Sequence, residues 1–138
     1  MIAYLDSSVL LRVVLGQRTR LKEWRAVREG IASALVQVEC LGTLDRLRLS
    51  RHLSDEELAQ RRESVFRLIG EMTIVGVSTP ILERASQPMP TPLGTLDAIH
   101  LATALAWRER GAADLVMATH DSALGMTARA CGVTVVGV

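Results

Sequence analysis

Ile2-Ala3-Tyr4-Leu5-Asp6-Ser7-Ser8 opens the chain with four largely apolar residues that end abruptly in a carboxylate and two hydroxyls. An unbroken apolar run this short, without polar alternation, reads as a strand covered on both faces. Ser7 or Ser8 is expected to cap a helical segment over Val9 to Leu15. The same kind of run recurs at Ile31-Ala32, Met72 to Val77, Leu115 to Ala118 and Val133 to Val136. Helical stretches are expected between these strands. Leu21 to Glu29 is helix-like. A longer helix opens near Ser33 and runs to about Leu49. Ser54-Asp55-Glu56-Glu57 places a hydroxyl cap before three acids in a first turn, a strong helix start. That helix runs to about Ile69. Ser78-Thr79-Pro80 starts another, and Ser86 to Pro92, with three of the four prolines, is a loop. Gly94-Thr95 opens a mostly apolar helix to about Arg110, and Ser122 to Ala130 forms the last. Buried strands alternating with helices predict a three-layer α/β/α sandwich around a parallel sheet of about four to five strands.

The 138 residues are one domain's worth, and no repeat, linker or composition break divides residues 1–138. At 49% hydrophobic and 22% charged, the composition excludes disorder. No apolar run approaches the ~20 residues of a membrane span. The N-terminus lacks the basic flank of a signal peptide, and Cys40 and Cys131 lack disulfide-scaffold or zinc-ligand spacing. A reducing cytoplasm is the expected compartment.

Sixteen basic residues against fifteen acidic give a net charge of +1, which selects no partner by itself. Arg12, Arg18, Arg20, Lys22, Arg25 and Arg28 are concentrated in one stretch, with Glu23 the single acid among them. They form either a solvated face or an RNA-backbone patch, led by Arg12, Arg18, Arg20 and Arg25. Aromatics are 3% of residues, too few for a base-stacking platform.

Four acids carry the chemistry. Asp6 and Asp121 follow predicted strands, and parallel sheets place ligands outside the carboxyl ends of their strands. Asp97 lies in the first turn of an apolar helix, and Glu39 lies between Val38 and Cys40. Singly, each has an ordinary explanation as a turn or helix-end acid. Brought together, each ionised pair at ~5 Å would cost roughly 3 kcal/mol at an effective dielectric of about 20. A hard divalent cation, Mg²⁺ or Mn²⁺, would make such a cluster tolerable and leave positions open for phosphate oxygen. His100, nearly one turn after Asp97, reads as a histidine packed beside the acids rather than as a general base. His120, before Asp121, is expected in an exposed loop.

Tyr4-Leu5-Asp6-Ser7-Ser8, Val38-Glu39-Cys40, Thr95 to Ala104 and Thr119-His120-Asp121 occur in an order and spacing that resembles the PIN-domain nucleases. The resemblance is strongest to the VapC-like toxins of bacterial toxin–antitoxin pairs, and it spans nearly the whole chain. It implies a Mg²⁺- or Mn²⁺-dependent endoribonuclease with the acidic quartet Asp6, Glu39, Asp97 and Asp121. Asp6 and Asp97 would be the main metal ligands, with Asp121 and Glu39 completing or positioning the water shell. Ser7, Ser8 and Thr119 would contact substrate or support the acids. Val36 and Gln37 stand where the family often has a Ser or Thr before its Glu. The resemblance further implies 5′-phosphate products, a homodimer and a small antitoxin whose C-terminal segment covers the acids. Two other readings compete. An Asp-nucleophile phosphatase lacks its second Asp, since Ser8 stands there, and Lys22 is poorly placed to contact phosphate. A catalytically silent PIN-like RNA- or protein-binding module would not need the complete quartet.

Overall fold

Apolar strands that cannot face water on either side need helices above and below. The computed structural model, which describes residues 1–138, shows how this chain supplies them. In chain order it forms β1 (Ile2–Leu5), α1 (Ser7–Val14), a 3₁₀ turn (Lys22–Ala26), β2 (Glu29–Ser33), α2 (Leu35–Leu49), α3 (Asp55–Gly70) and β3 (Thr73–Val75). Then follow α4 (Thr79–Ala85), α5 (Thr95–Glu109), β4 (Val116–Ala118), α6 (Ser122–Ala130) and β5 (Thr134–Val136). The sheet has five strands in the order β3-β2-β1-β4-β5, and every pairing is parallel.

Side chains alternate across a strand, so each strand feeds both layers. Ala3, Leu5, Ala32 and Ala118 pack with Val9, Leu10, Val36, Leu44 and Val65 from α1, α2 and α3. Tyr4, Ile31 and Met117 pack on the other face with Leu101, Leu105, Leu124 and Ala128 from α5 and α6. No helix is long and apolar enough to cross a membrane.

Three local expectations change. Asp6, not Ser7 or Ser8, is the N-cap of α1, and both serines already lie in the helix. A carboxylate can take the role because its oxygen accepts from the Ser8 backbone N–H. The stretch from Leu21 to Glu29 is only a five-residue 3₁₀ turn. None of its residues is fully buried, and the chain turns extended at Val27 to enter β2 at Glu29, which leaves no room for a longer helix. The second strand is accordingly longer than Ile31-Ala32.

Strand order decides where the site lies. The chain runs outward from β1 to β2 and β3, then returns to lay β4 on the other side of β1. Connections therefore leave β1 and β4 in opposite directions, opening a crevice at their carboxyl ends. Asp6 follows β1 and Thr119 follows β4 at that crevice.

Candidate active site

Asp6 is buried, with only 4% of its surface exposed. Its Oδ2 accepts from Ser8 Oγ at 2.5 Å and from Thr119 Oγ1 at 2.9 Å, which joins the ends of β1 and β4. The Ser7 hydroxyl makes a longer contact, 3.4 Å, to Oδ1. Thr119 Oγ1 also accepts from the Asp121 N–H at 2.9 Å. Ser7, Ser8 and Thr119 thus surround Asp6. Hydroxyls that donate to a carboxylate fix its direction.

Glu39 projects from α2 and is one-fifth exposed. It meets Asp6 through His100, whose Nε2 lies 2.6 Å from Glu39 Oε1 and 3.8 Å from Asp6 Oδ1. The other ring nitrogen, Nδ1, is 2.8 Å from the hydroxyl of Tyr4, and that hydroxyl accepts from the Ser33 N–H at 3.2 Å. His100 and Tyr4 are fully buried. Burial holds the Tyr4 phenol well above its ordinary range, so it keeps its proton. With the neutral ring protonated on Nε2, Tyr4 donates to Nδ1 and His100 donates to Glu39. The charged ring donates to Glu39 as well. In either state Nε2–H is committed to the carboxylate.

Burial by itself would lower the affinity of His100 for a proton, but the hydrogen bond to Glu39 and the charges of Asp6, Glu39 and Asp97 outweigh it and raise it. Asp97, half-buried at the start of α5, has its carboxyl raised above the usual range, first by burial and then by the charges of Asp121 and Asp6. His100 opposes that rise, and Glu39 adds to it. Asp121 caps α6, its Oδ1 accepting from Leu124 N–H at 2.9 Å. The ordinary capping reading of Asp6 and Asp121 is therefore correct and also incomplete. A carboxylate has two oxygens, and a cap uses one of them. Beside Glu39, burial lifts the Cys40 thiol to about 12, so it stays a protonated filler.

Four acids from four separate segments thus share the crevice. Asp6 and Glu39 are tied through one histidine, and Asp97 feels Asp121 and Asp6 directly. As they stand, no three His, Cys, Asp or Glu side chains are drawn tightly enough to hold a metal ion. The donor set nonetheless fits a hard cation. It is all carboxylate, and neither Glu39 Oε2 nor either Asp97 oxygen accepts a hydrogen bond. No Arg or Lys side chain forms an ion pair with any of the four acids, whose sole ion-pair partner is His100.

The basic residues form a separate wall. Arg12, Arg18, Arg20 and Lys22 line a cavity of about 550 Å³ that His120 also lines. Arg25 lines an adjoining hollow with Arg18, Arg20, Lys22 and Trp24. His120 is less exposed than a simple loop position implies, because its Nδ1–H donates to the Gly137 carbonyl at 2.9 Å and its Nε2 is buried without a partner. Tyr4 is the residue that sequence reasoning missed. Its signal was a phenol inside a buried strand, since a buried Tyr hydroxyl needs a partner.

The Klebsiella pneumoniae toxin–antitoxin complex contains a chain with 19% identity, covering 88% of each chain at a TM-score of 0.60. A chain of VapBC2 from Rickettsia felis, bound to a DNA fragment from its promoter, superposes at a TM-score of 0.67. It has 11% identity and covers 98% of this chain and 97% of that one. FitAB bound to the IR36 DNA fragment gives 0.67 at 13% identity, covering 98% and 93%. At these identities the likeness is one of fold. None of the curated proteins matches the chain. The family model of the PIN domain matches residues 3–129, a span that holds all four acids, Tyr4 and His100. The chain belongs to the PIN domain family.

Proposed function

We propose that this protein is a Mg²⁺- or Mn²⁺-dependent endoribonuclease, acting as the VapC-like toxin of a toxin–antitoxin pair. The observation that carries the reading is the set of four carboxylates at the β1–β4 crevice, countered only by one shared histidine. Asp6, Asp97 and Asp121 are the proposed metal ligands, and Glu39 completes the catalytic quartet. A divalent ion held there would offset charge developing on the scissile phosphate and acidify an attacking water. The chain's own residues supply orientation. Ser8 and Thr119 hold Asp6, while Tyr4 and His100 hold Glu39. Both carboxylates are thereby fixed before substrate arrives, and such pre-organisation is what electrostatic catalysis requires. Attack by water with the 3′-oxygen as leaving group, the outcome the resemblance to the PIN-domain nucleases implies, would give a 5′-phosphate and a 3′-hydroxyl.

The toxin assignment draws on the fold shared with chains of toxin–antitoxin complexes. Val38 and Leu96, next to Glu39 and Asp97 in the sequence, are 72% and 48% exposed, an apolar rim suited to a covering antitoxin segment. Ile74, Val77 and Leu82, on or beside edge strand β3 and α4, are also exposed, which suits a homodimer contact. The competing reading is a catalytically silent RNA- or protein-binding module, and the spread of the acids favours it.

One assay separates the two. Purified protein incubated with structured RNA and Mn²⁺ is expected to produce 5′-phosphorylated fragments. Cleavage stops in EDTA and in Asp6→Asn. Metal-independent RNA binding without products would establish the silent module.

A further inference from the structure

The cavity of about 550 Å³ beside the acids has charge opposite to theirs. Arg18, Arg20 and Lys22 are exposed on it and pair with no carboxylate. Glu23 is the one acidic side chain in its wall. Arg12 has a different role, its Nη1 donating to the Thr19 carbonyl at 3.0 Å and bracing the loop that carries Arg18 and Arg20. Leu21 anchors the same loop in the core. The cations are therefore presented on an ordered loop, although nothing within the protein neutralises them.

The cleft is joined to the acidic site by a short chain of hydrogen bonds. The N–H of His120, which lines the cleft, donates to Ser8 Oγ at 2.9 Å, and Ser8 Oγ donates to Asp6 Oδ2 at 2.5 Å. His120 is thus common to the cleft wall and to the hydrogen bonds around Asp6, so the two places adjoin. The cleft contains no aromatic residue besides the His120 ring, so it offers charge without a stacking surface. Guanidinium forks suit phosphate oxygens in bidentate geometry.

We propose that Arg18, Arg20 and Lys22 form a phosphate-backbone subsite for the RNA strand flanking the cleaved bond, with Arg12 as a positioning residue. This rests on the nuclease reading above. The subsite is blind to sequence, because backbone contacts position a strand without reading its bases. Substrate choice therefore comes from elsewhere in the RNA.

The test is fluorescence anisotropy with a labelled single-stranded RNA in EDTA, so that nothing is cut. Wild type is compared with Arg18→Gln/Arg20→Gln/Lys22→Gln, all exposed positions whose change leaves the melting temperature as it was. Three lost phosphate contacts make the negative slope of log affinity against log salt shallower by about 2, at roughly 0.7 per contact. The loss is the same for RNAs of different sequence. An unchanged slope overturns the proposal. So does a variant that loses binding to poly-glutamate while keeping RNA, which would mark a protein-docking surface. Because binding is read without cleavage, the two readings fail separately. A changed slope in a protein that cuts no RNA supports the subsite and removes the nuclease. An unchanged slope in a protein that cuts RNA does the reverse.

Discussion

Charge is handled in opposite ways at two places in this molecule. On the outer surface Arg84 of α4 and Glu109 of α5 form a two-pronged ion pair, 2.6 and 2.7 Å long, and each shifts its partner toward the charged form. Opposite charges meet in water and link two helices. At the β1–β4 crevice, like charges meet where they are partly or wholly buried. Asp97 is pushed toward its neutral form by burial and by Asp121 and Asp6, and one histidine serves both Asp6 and Glu39. The first arrangement explains itself as structure. The second opposes folding, and under the proposed function that opposition is the cost of a metal-binding site.

The contrast breaks most visibly in activity. Asp6→Asn is expected to cost at least ~100-fold in RNA cleavage, the scale of losing one pre-organised electrostatic group. The protein stays folded, because an Asn caps α1 as well as an Asp does. Glu109→Gln leaves the cleavage rate unchanged. Equal losses in the two variants, measured by single-turnover rates, would erase the distinction.

Tyr4→Phe is the next effect in size. It leaves the Ser33 N–H and His100 Nδ1 without their buried partner, at a cost of about 1–3 kcal/mol by chemical denaturation. Glu39 then loses its fixed orientation, and cleavage is expected to fall ~10–100-fold, as for other groups that orient ligands. Folding cost without a rate loss would make Tyr4 purely structural.

Stability sharpens the comparison through its sign. Asp97→Asn removes a charge that its neighbours oppose, so the metal-free variant is expected to melt higher than wild type. The pH dependence follows. The folded-state value of Asp97 is raised, so its ionisation as pH climbs from the ordinary 3.8 through that value lowers stability. The value for His100 is also raised, so its contribution is complete below the ordinary 6.5 and is lost as pH passes the folded value. Metal-free wild type is thus expected to lose stability as pH rises through both windows, and Asp97→Asn to lose less in the acidic one. Opposite slopes in thermal melts would contradict the assigned repulsion. The smallest effect belongs to Glu109→Gln, a slight lowering of melting temperature that salt abolishes.

Most of the fold was legible because local rules and long-range packing agree in it. Five apolar runs became five parallel strands, and Ser54 with Glu57 forms the reciprocal cap its spacing announced. The segment near Leu21 misled because Leu21, Trp24 and Val27 do pack against the core, yet from a 3₁₀ turn and its flanks. Spacing alone cannot distinguish such a turn from one face of a helix. In the site, the acids were visible by their position after strands or on apolar helices. The Tyr4–His100–Glu39 link was not, because it joins residues 96 and 61 positions apart and depends on how β1, α2 and α5 stack.

The central claim is that these acids converge on a divalent ion. Mn²⁺ titrated into the purified protein by calorimetry tests it directly. The account predicts saturable binding to wild type that raises the melting temperature with metal concentration, and loss of that binding in both Asp6→Asn and Asp97→Asn. Equal Mn²⁺ binding in all three proteins, or none in the wild type, would contradict it.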